Sequence, residues 1–243
     1  MCELLITVWP KATPIAQVLV WAEALERYGL GGFGWGVAFR DAGKVRHHRF
    51  PGRLADDEEG RAALAEVAAT HYLVHLRRPS ELSTIAMADT QPFLSDDQQF
   101  AFAHNGRLDG AEGMRARYAG RLLGRADSEV GFRLFEELLQ AGESAQVALR
   151  SVHRELGGTA NLGYFPVEGA PLIYCGGPAN PLWRFRVGAV HVVSTGLHSS
   201  DQALFDFCFP SATDRQRLAV GEISQVGTEG LAGDGSAVLV GGR

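Results

Sequence analysis

A chain of 243 residues with a formal net charge of −5, and no basic cluster beyond the Arg77-Arg78 pair, lacks the footprint of a nucleic-acid binder. Its 46% hydrophobic and 21% charged residues suit a globular protein that buries a full core, and its early apolar run at 15–25 is broken by Gln17 and Glu23 and too short to span a bilayer. Three cysteines give no disulfide framework and no basic region precedes the apolar start, so a cytoplasmic setting and a single domain over 1–243 are expected.

The chain opens Met1-Cys2-Glu3-Leu4-Leu5-Ile6. Removal of Met1, which a small second residue permits, leaves Cys2 carrying a thiol that titrates near ~8.5 and an α-amine near ~7.7–8.0, a nucleophile beside a base. A small buried hydrophobe is the other reading of such a cysteine. Residues 3–8 are apolar on both faces and predict a strand covered on both sides. Thr13-Pro14 reads as a helix start, and Ile15, Val18, Leu19, Ala22 and Leu25 follow at helical spacing to Gly29. The Gly-rich stretch 29–36 sits between a helix and a strand, the wrong context for a dinucleotide loop, so close backbone packing or a mobile turn is expected.

Strands are expected over 35–39 and 44–50, turning at Asp41-Ala42-Gly43. The Ala- and Glu-rich run 56–70 predicts a helix, and 71–77 a strand with His75 and Arg77 on one face. After a polar loop, 99–104 predicts a strand that stops at the turn dipeptide Asn105-Gly106. Helices follow from Asp127 and over 144–156. Further strands are expected at 159–165, 171–174, 182–187, 189–194 and 222–226, with a last short one at 237–240. Strands in hairpin pairs and helices in pairs fit stacked antiparallel sheets with helices outside.

Beside Cys2, three stretches carry chemistry. Arg77, ending a strand, suits a carboxylate; it also reads as a surface arginine. In His104-Asn105-Gly106 the Asn amide and Gly N–H can point at one oxygen, a minimal oxyanion hole, or simply make a tight turn. Asp127 reads as a helix N-cap or as a partner for a substrate ammonium. His71 and His75 lie four apart on a strand, His47 and His48 point to opposite faces, and Cys175 and Cys208 read as core residues, so no metal site is expected. The G-x-S-x-G elbow is absent.

Met-Cys-Glu-Leu-Leu, Gly34-Trp35-Gly36, His75-x-Arg77, Thr90-Gln91-Pro92-Phe93, His104-Asn105-Gly106 and Asp127-Ser128-Glu129 run in this order. The set resembles the class II glutamine amidotransferases of the N-terminal nucleophile hydrolase superfamily, most of all the small stand-alone members without a fused synthase domain. The resemblance implies an α+β fold, a four-layer αββα sandwich of two stacked, mainly antiparallel sheets. It makes Cys2 the nucleophile with its own α-amine as base, Arg77 the holder of the glutamine α-carboxylate and Asp127 of its α-ammonium. Asn105 and Gly106 would stabilise the oxyanion, with His104, Trp35 and Gly36 as further substrate-binding residues. It implies a γ-glutamyl thioester on Cys2, no cofactor, and ammonia passed to a separate synthetase. Hydrolysis of a γ-glutamyl amide in a larger metabolite, or a catalytically silent binding module, stays open. The chain departs from the family's pattern at Phe33, where members often carry Asp, and at Arg78-Pro79 after the key arginine. The 118–124 segment leaves little room for an elaborate lid.

Overall fold

The computed structural model describes residues 2–29, 31–196 and 202–227. The first strand, β1 (Glu3–Pro14), is apolar on both faces because both are covered: Leu5 enters one core, Leu4 and Ile6 another. It runs straight into α1 (Ile15–Tyr28), whose Ile15, Val18, Leu19, Ala22 and Leu25 are buried. The expected hydroxyl cap is corrected here. Pro14 is the residue before the helix, and the Thr13 hydroxyl donates to Lys11 O instead.

A hairpin follows, β2 (Trp35–Asp41) and β3 (Lys44–Phe50). The helix expected over 56–70 is much shorter: α2 (Glu58–Leu64) is capped by Asp57, which accepts from Gly60 N. The chain then joins β4 (Ala68–Leu76) early, because Ala68 and Ala69 pair with Pro14 and Thr13, and Ile15 N donates to Val67 O. Tertiary pairing overrides the helix propensity of the alanines.

β5 (Phe93–Leu94) pairs with β6 (Phe100–Arg107). The strand does not stop at Asn105-Gly106, as expected; Asn105, Gly106 and Arg107 continue it opposite Asn161, Ala160 and Thr159. Gly106 adopts φ 131°, and a Cβ there would lie 1.5 Å from Thr159 O, so glycine serves a close backbone approach rather than a turn. The short α3 (Ala111–Met114) precedes α4 (Asp127–Gln140) and α5 (Ala145–Leu156). Strands β7 (Thr159–Pro166), β8 (Leu172–Tyr174), β9 (Leu182–Val187) and β10 (Val190–Thr195) follow. Helix α6 (Gln202–Cys208) and β11 (Ala212–Arg217) were not anticipated; β12 (Ile223–Gln225) was. The strand expected at 237–240 lies outside the described residues.

The strands form a seven-stranded sheet, β11-β9-β10-β1-β4-β2-β3, and a five-stranded one, β12-β8-β7-β6-β5, antiparallel at every pairing. Leu4, Ile6 and Leu73 of the first meet Ala101, Ala103 and Phe165 of the second. On the outer faces, α1 and α6 cover the first sheet through Val18, Leu25 and Phe205, and α4 and α5 cover the second through Val130, Phe135 and Leu149. This is the four-layer αββα sandwich. Among the described residues no helix is long and apolar enough to cross a membrane.

Strand alternation then decides where the chemistry sits. Cys2 shares the face of Leu4 and Ile6; His75 and Arg77 share that of Leu73; Asn105 shares that of Ala101 and Ala103. All four therefore belong to the layer between the sheets. Because Glu3 pairs with Leu76, the next register position outward sets Cys2 beside Arg77.

Candidate active site

Cys2, Arg77, His104, Gly106 and Asp127 line one cleft of about 660 Å³. Cys2 is buried at the head of β1, and its Sγ accepts the Arg78 N–H at 3.3 Å. Burial pushes the thiol up; the Arg78 N–H and the charge of Arg77 pull the other way.

Arg77 is not a surface arginine. It is 4% exposed, and its guanidinium donates to Thr84 O and, at 2.7 Å, to Thr84 Oγ1. Burial lowers its pKa, opposed by Cys2 when it is a thiolate and by the carboxylates of Asp89 and Asp127. The Gly-rich turn grips the backbone of this residue: Arg77 N donates to Gly34 O and Phe33 N to Arg77 O. Gly34 has φ 141°, and a Cβ there would meet Thr90 Oγ1 at 3.2 Å, so that stretch serves close packing.

The end of β6 is held from three sides. Gln91 Oε1 accepts His104 N at 2.6 Å, His75 Nε2 donates to His104 O at 3.1 Å, and His104 Nδ1 meets Ser128 Oγ at 2.9 Å. Burial keeps both histidines neutral, with His75 pushed down to about 3. Asn105 is fully buried; its Oδ1 accepts from Asn180 Nδ2 at 2.9 Å and its Nδ2 has no protein partner.

Asp127 is the first residue of α4, not its cap, a place held by Ala126. Its Oδ2 accepts Leu108 N and its Oδ1 accepts Ser128 N, both at 2.8 Å, which ties the exit of β6 to the start of α4. Glu129 accepts Leu123 N and Gly124 N, and Asp89 accepts Arg125 N and Ala126 N, fastening the approach to the helix.

Of the expected site residues, Trp35, Gly36 and Asn105 are not among those that line the cleft; Asn105 lies fully buried between His104 and Gly106, which do line it. The Trp35 indole donates to Asp57 Oδ2 at 3.0 Å inside the core, because a ring on the outer face of β2 packs under the helices. A Cβ on Gly36 would lie 2.4 Å from Gln91 O, so this glycine admits the backbone beside Gln91. Sequence reasoning assigned no role to Thr84, Gln91, Ser128 or Asn180. Gln91 and Ser128 at least stand inside quoted motifs; Thr84 closes a short 3-10 turn over Leu82–Thr84 and Asn180 lies in a loop, and neither belongs to a pattern. Among the described residues, no three His, Cys, Asp or Glu side chains gather as a metal-holding group.

Two stacked antiparallel sheets between helix layers, with a cysteine leading a central strand into a cleft at the sheet ends, define an N-terminal nucleophile hydrolase fold. Residues 1–165 match the family model described as glutamine amidotransferases class-II, and the chain belongs to that family. It is similar in structure to the glutamine phosphoribosylpyrophosphate amidotransferase of B. subtilis complexed with ADP and GMP, with TM-score 0.71, 19% identity, and coverage of 91% of this chain and 46% of that one. A structure described as the allosteric regulatory enzyme of purine biosynthesis gives TM-score 0.70, 19% identity and coverage of 90% and 46%. A glutamine aminotransferase class-II domain protein from Silicibacter pomeroyi gives TM-score 0.53, 18% identity and coverage of 79% and 88%. At these identities the likeness is one of fold. The chain spans about half the length of the first two. No curated protein sequence matches it.

Proposed function

We propose that this protein hydrolyses the side-chain amide of glutamine through Cys2, once Met1 has been removed, within one domain over 1–243. The α-amine of Cys2 takes the thiol proton, and sulfur attacks the amide carbon. Asn105 Nδ2 and the Gly106 N–H stabilise the oxyanion of the tetrahedral intermediate. The amine returns its proton to the leaving nitrogen, the C–N bond breaks, and ammonia departs. Water then cleaves the γ-glutamyl thioester to glutamate. Arg77 holds the α-carboxylate and Asp127 the α-ammonium.

One observation carries the reading: a buried thiol shares its cleft with a cation just past the end of β4 and an anion beginning α4, the two handles glutamine requires. Released ammonia passes to a separate synthetase, a reading supported by membership of the amidotransferase family. The test is direct. Protein whose intact mass lacks Met1 releases glutamate from glutamine, and Cys2→Ala abolishes release; equal turnover in the alanine variant overturns the role of Cys2.

The size of the cleft favours a second reading. Arg107, Glu112 and Arg115 also line it, and its volume of about 660 Å³ leaves room for a γ-glutamyl amide of a larger molecule. Faster turnover of bulky γ-glutamyl amides than of glutamine selects that substrate class.

A further inference from the structure

The carboxamide of Asn105 has two ends, and only Nδ2 serves an oxyanion. Its partner decides which end faces the reaction. Asn180 Nδ2 donates to Asn105 Oδ1 at 2.9 Å across 75 residues of sequence, which leaves Asn105 Nδ2 as a buried donor with no protein partner. We propose that Asn180 is a positioning residue that occupies the Asn105 carboxamide oxygen and so keeps its NH2 group as the end left to donate to the oxyanion. The inference rests on the proposed glutamine hydrolysis.

Asn180 is itself anchored. Its backbone carbonyl accepts Asn161 Nδ2 at 2.7 Å, and Asn161 Oδ1 accepts the Gly176 N–H at 3.2 Å. A backbone N–H only donates and a carbonyl only accepts, so the Asn161 amide has one orientation. It staples the loop carrying Asn180 to β7, directly opposite Asn105 in the β6–β7 register. All three asparagines are at most 1% exposed. The Asn105–Asn180 pair, by contrast, has two arrangements, since either amide can donate to the other. The flipped one turns Asn105 Oδ1 and its lone pairs toward the developing negative charge. The observed one leaves Asn105 Nδ2 and Asn180 Oδ1 both without a protein partner, and of the two ends of Asn105 it is the donor that a developing oxyanion would complete. Asn180 lies beyond residue 165, where the family match ends.

Two variants separate positioning from scaffolding. Asn180→Asp, as a carboxylate, offers acceptors only; it captures Asn105 Nδ2 and turns Oδ1 inward. Its kcat for glutamine falls on the order of 10²–10³-fold, that of Asn180→Ala falls less, and KM and L-glutamate affinity stay within about threefold because the handles are untouched. The kcat of Asn180→Asp recovers as the pH is lowered, since the protonated acid regains a donor. In an Asn105→Ala background, Asn180→Asp costs nothing further. Unchanged kcat in Asn180→Asp, additive losses in the double variant, or loss of glutamate binding in both single variants overturns the assignment. A wild-type protein that leaves glutamine intact sinks the functional reading beneath it instead.

Discussion

At Arg77 two demands compete. Recognition of a carboxylate by a guanidinium strengthens as water is excluded, yet burying the cation disfavours its charge. The site meets both: Arg77 is 4% exposed, with the carboxylates of Asp89 and Asp127 supporting its charge and Thr84 taking two of its donors. A lysine keeps the charge but loses the fork. Arg77→Lys therefore raises KM for glutamine roughly 10–100-fold, the equivalent of about 1.5–3 kcal/mol for a charged hydrogen bond, with kcat nearly unchanged. Steady-state kinetics check it; an unaltered KM removes Arg77 from substrate binding. Residues of this kind are legible in a sequence because a thiol, a guanidinium or a carboxylate in a motif announces its chemistry. Thr84, Gln91 and Asn180 are not, because each acts by holding another group, and small polar loop residues all look alike. Trp35 shows the reverse: it stands inside a quoted motif, and its indole is committed to Asp57.

Among the elements, β6 bears most directly on the site, and there the sequence misled in an instructive way. Asn-Gly is a strong turn signal between strands, but pairing with β7 carries the strand through it. The glycine is needed for another reason. A Cβ on Gly106 would collide with Thr159 O at 1.5 Å, whereas one on Gly43, also at positive φ, would meet nothing within 4 Å. Backbone cannot yield as a side-chain tip does. Gly43→Ala should cost about 1–2 kcal/mol, the left-handed penalty alone, and Gly106→Ala about 3 kcal/mol or more, from penalty plus clash. Urea unfolding of both variants checks the difference, and equal costs would mean that β6 and β7 separate freely at this end. Stacked antiparallel sheets and the helices α1, α4 and α5 were readable from alternation and 3.6-residue spacing, whereas α3, α6 and β11 were not. The α2–β4 boundary was not, because alanine-rich sequence favours helix until Thr13 and Pro14 offer it a strand partner.

Taken whole, the layer between the sheets is mostly apolar, and burial keeps the histidines on its faces neutral. Burial lowers His75 from 6.5 to about 3, with Arg77 and His104 adding to the effect; His47 and His71 are lowered to about 4, again by burial first, then by Arg49 and by Arg40 respectively. The sign follows from proton counting. Below pH 6.5 the unfolded chain protonates these rings while the folded one does not, so unfolding takes up protons and stability falls as the pH drops toward the folded values. Stability is fully present above 6.5 and is lost progressively down to about 3. His75 alone accounts for roughly 2–3 kcal/mol between about pH 7 and about pH 4.5. His75→Gln keeps an N–H for His104 O and cannot titrate. Urea midpoints across that range should therefore fall less steeply in the variant than in the wild type. Parallel slopes would mean that His75 is protonated in the folded state, with its charge beside Arg77, and that the core end of the cleft is wetter than its burial indicates.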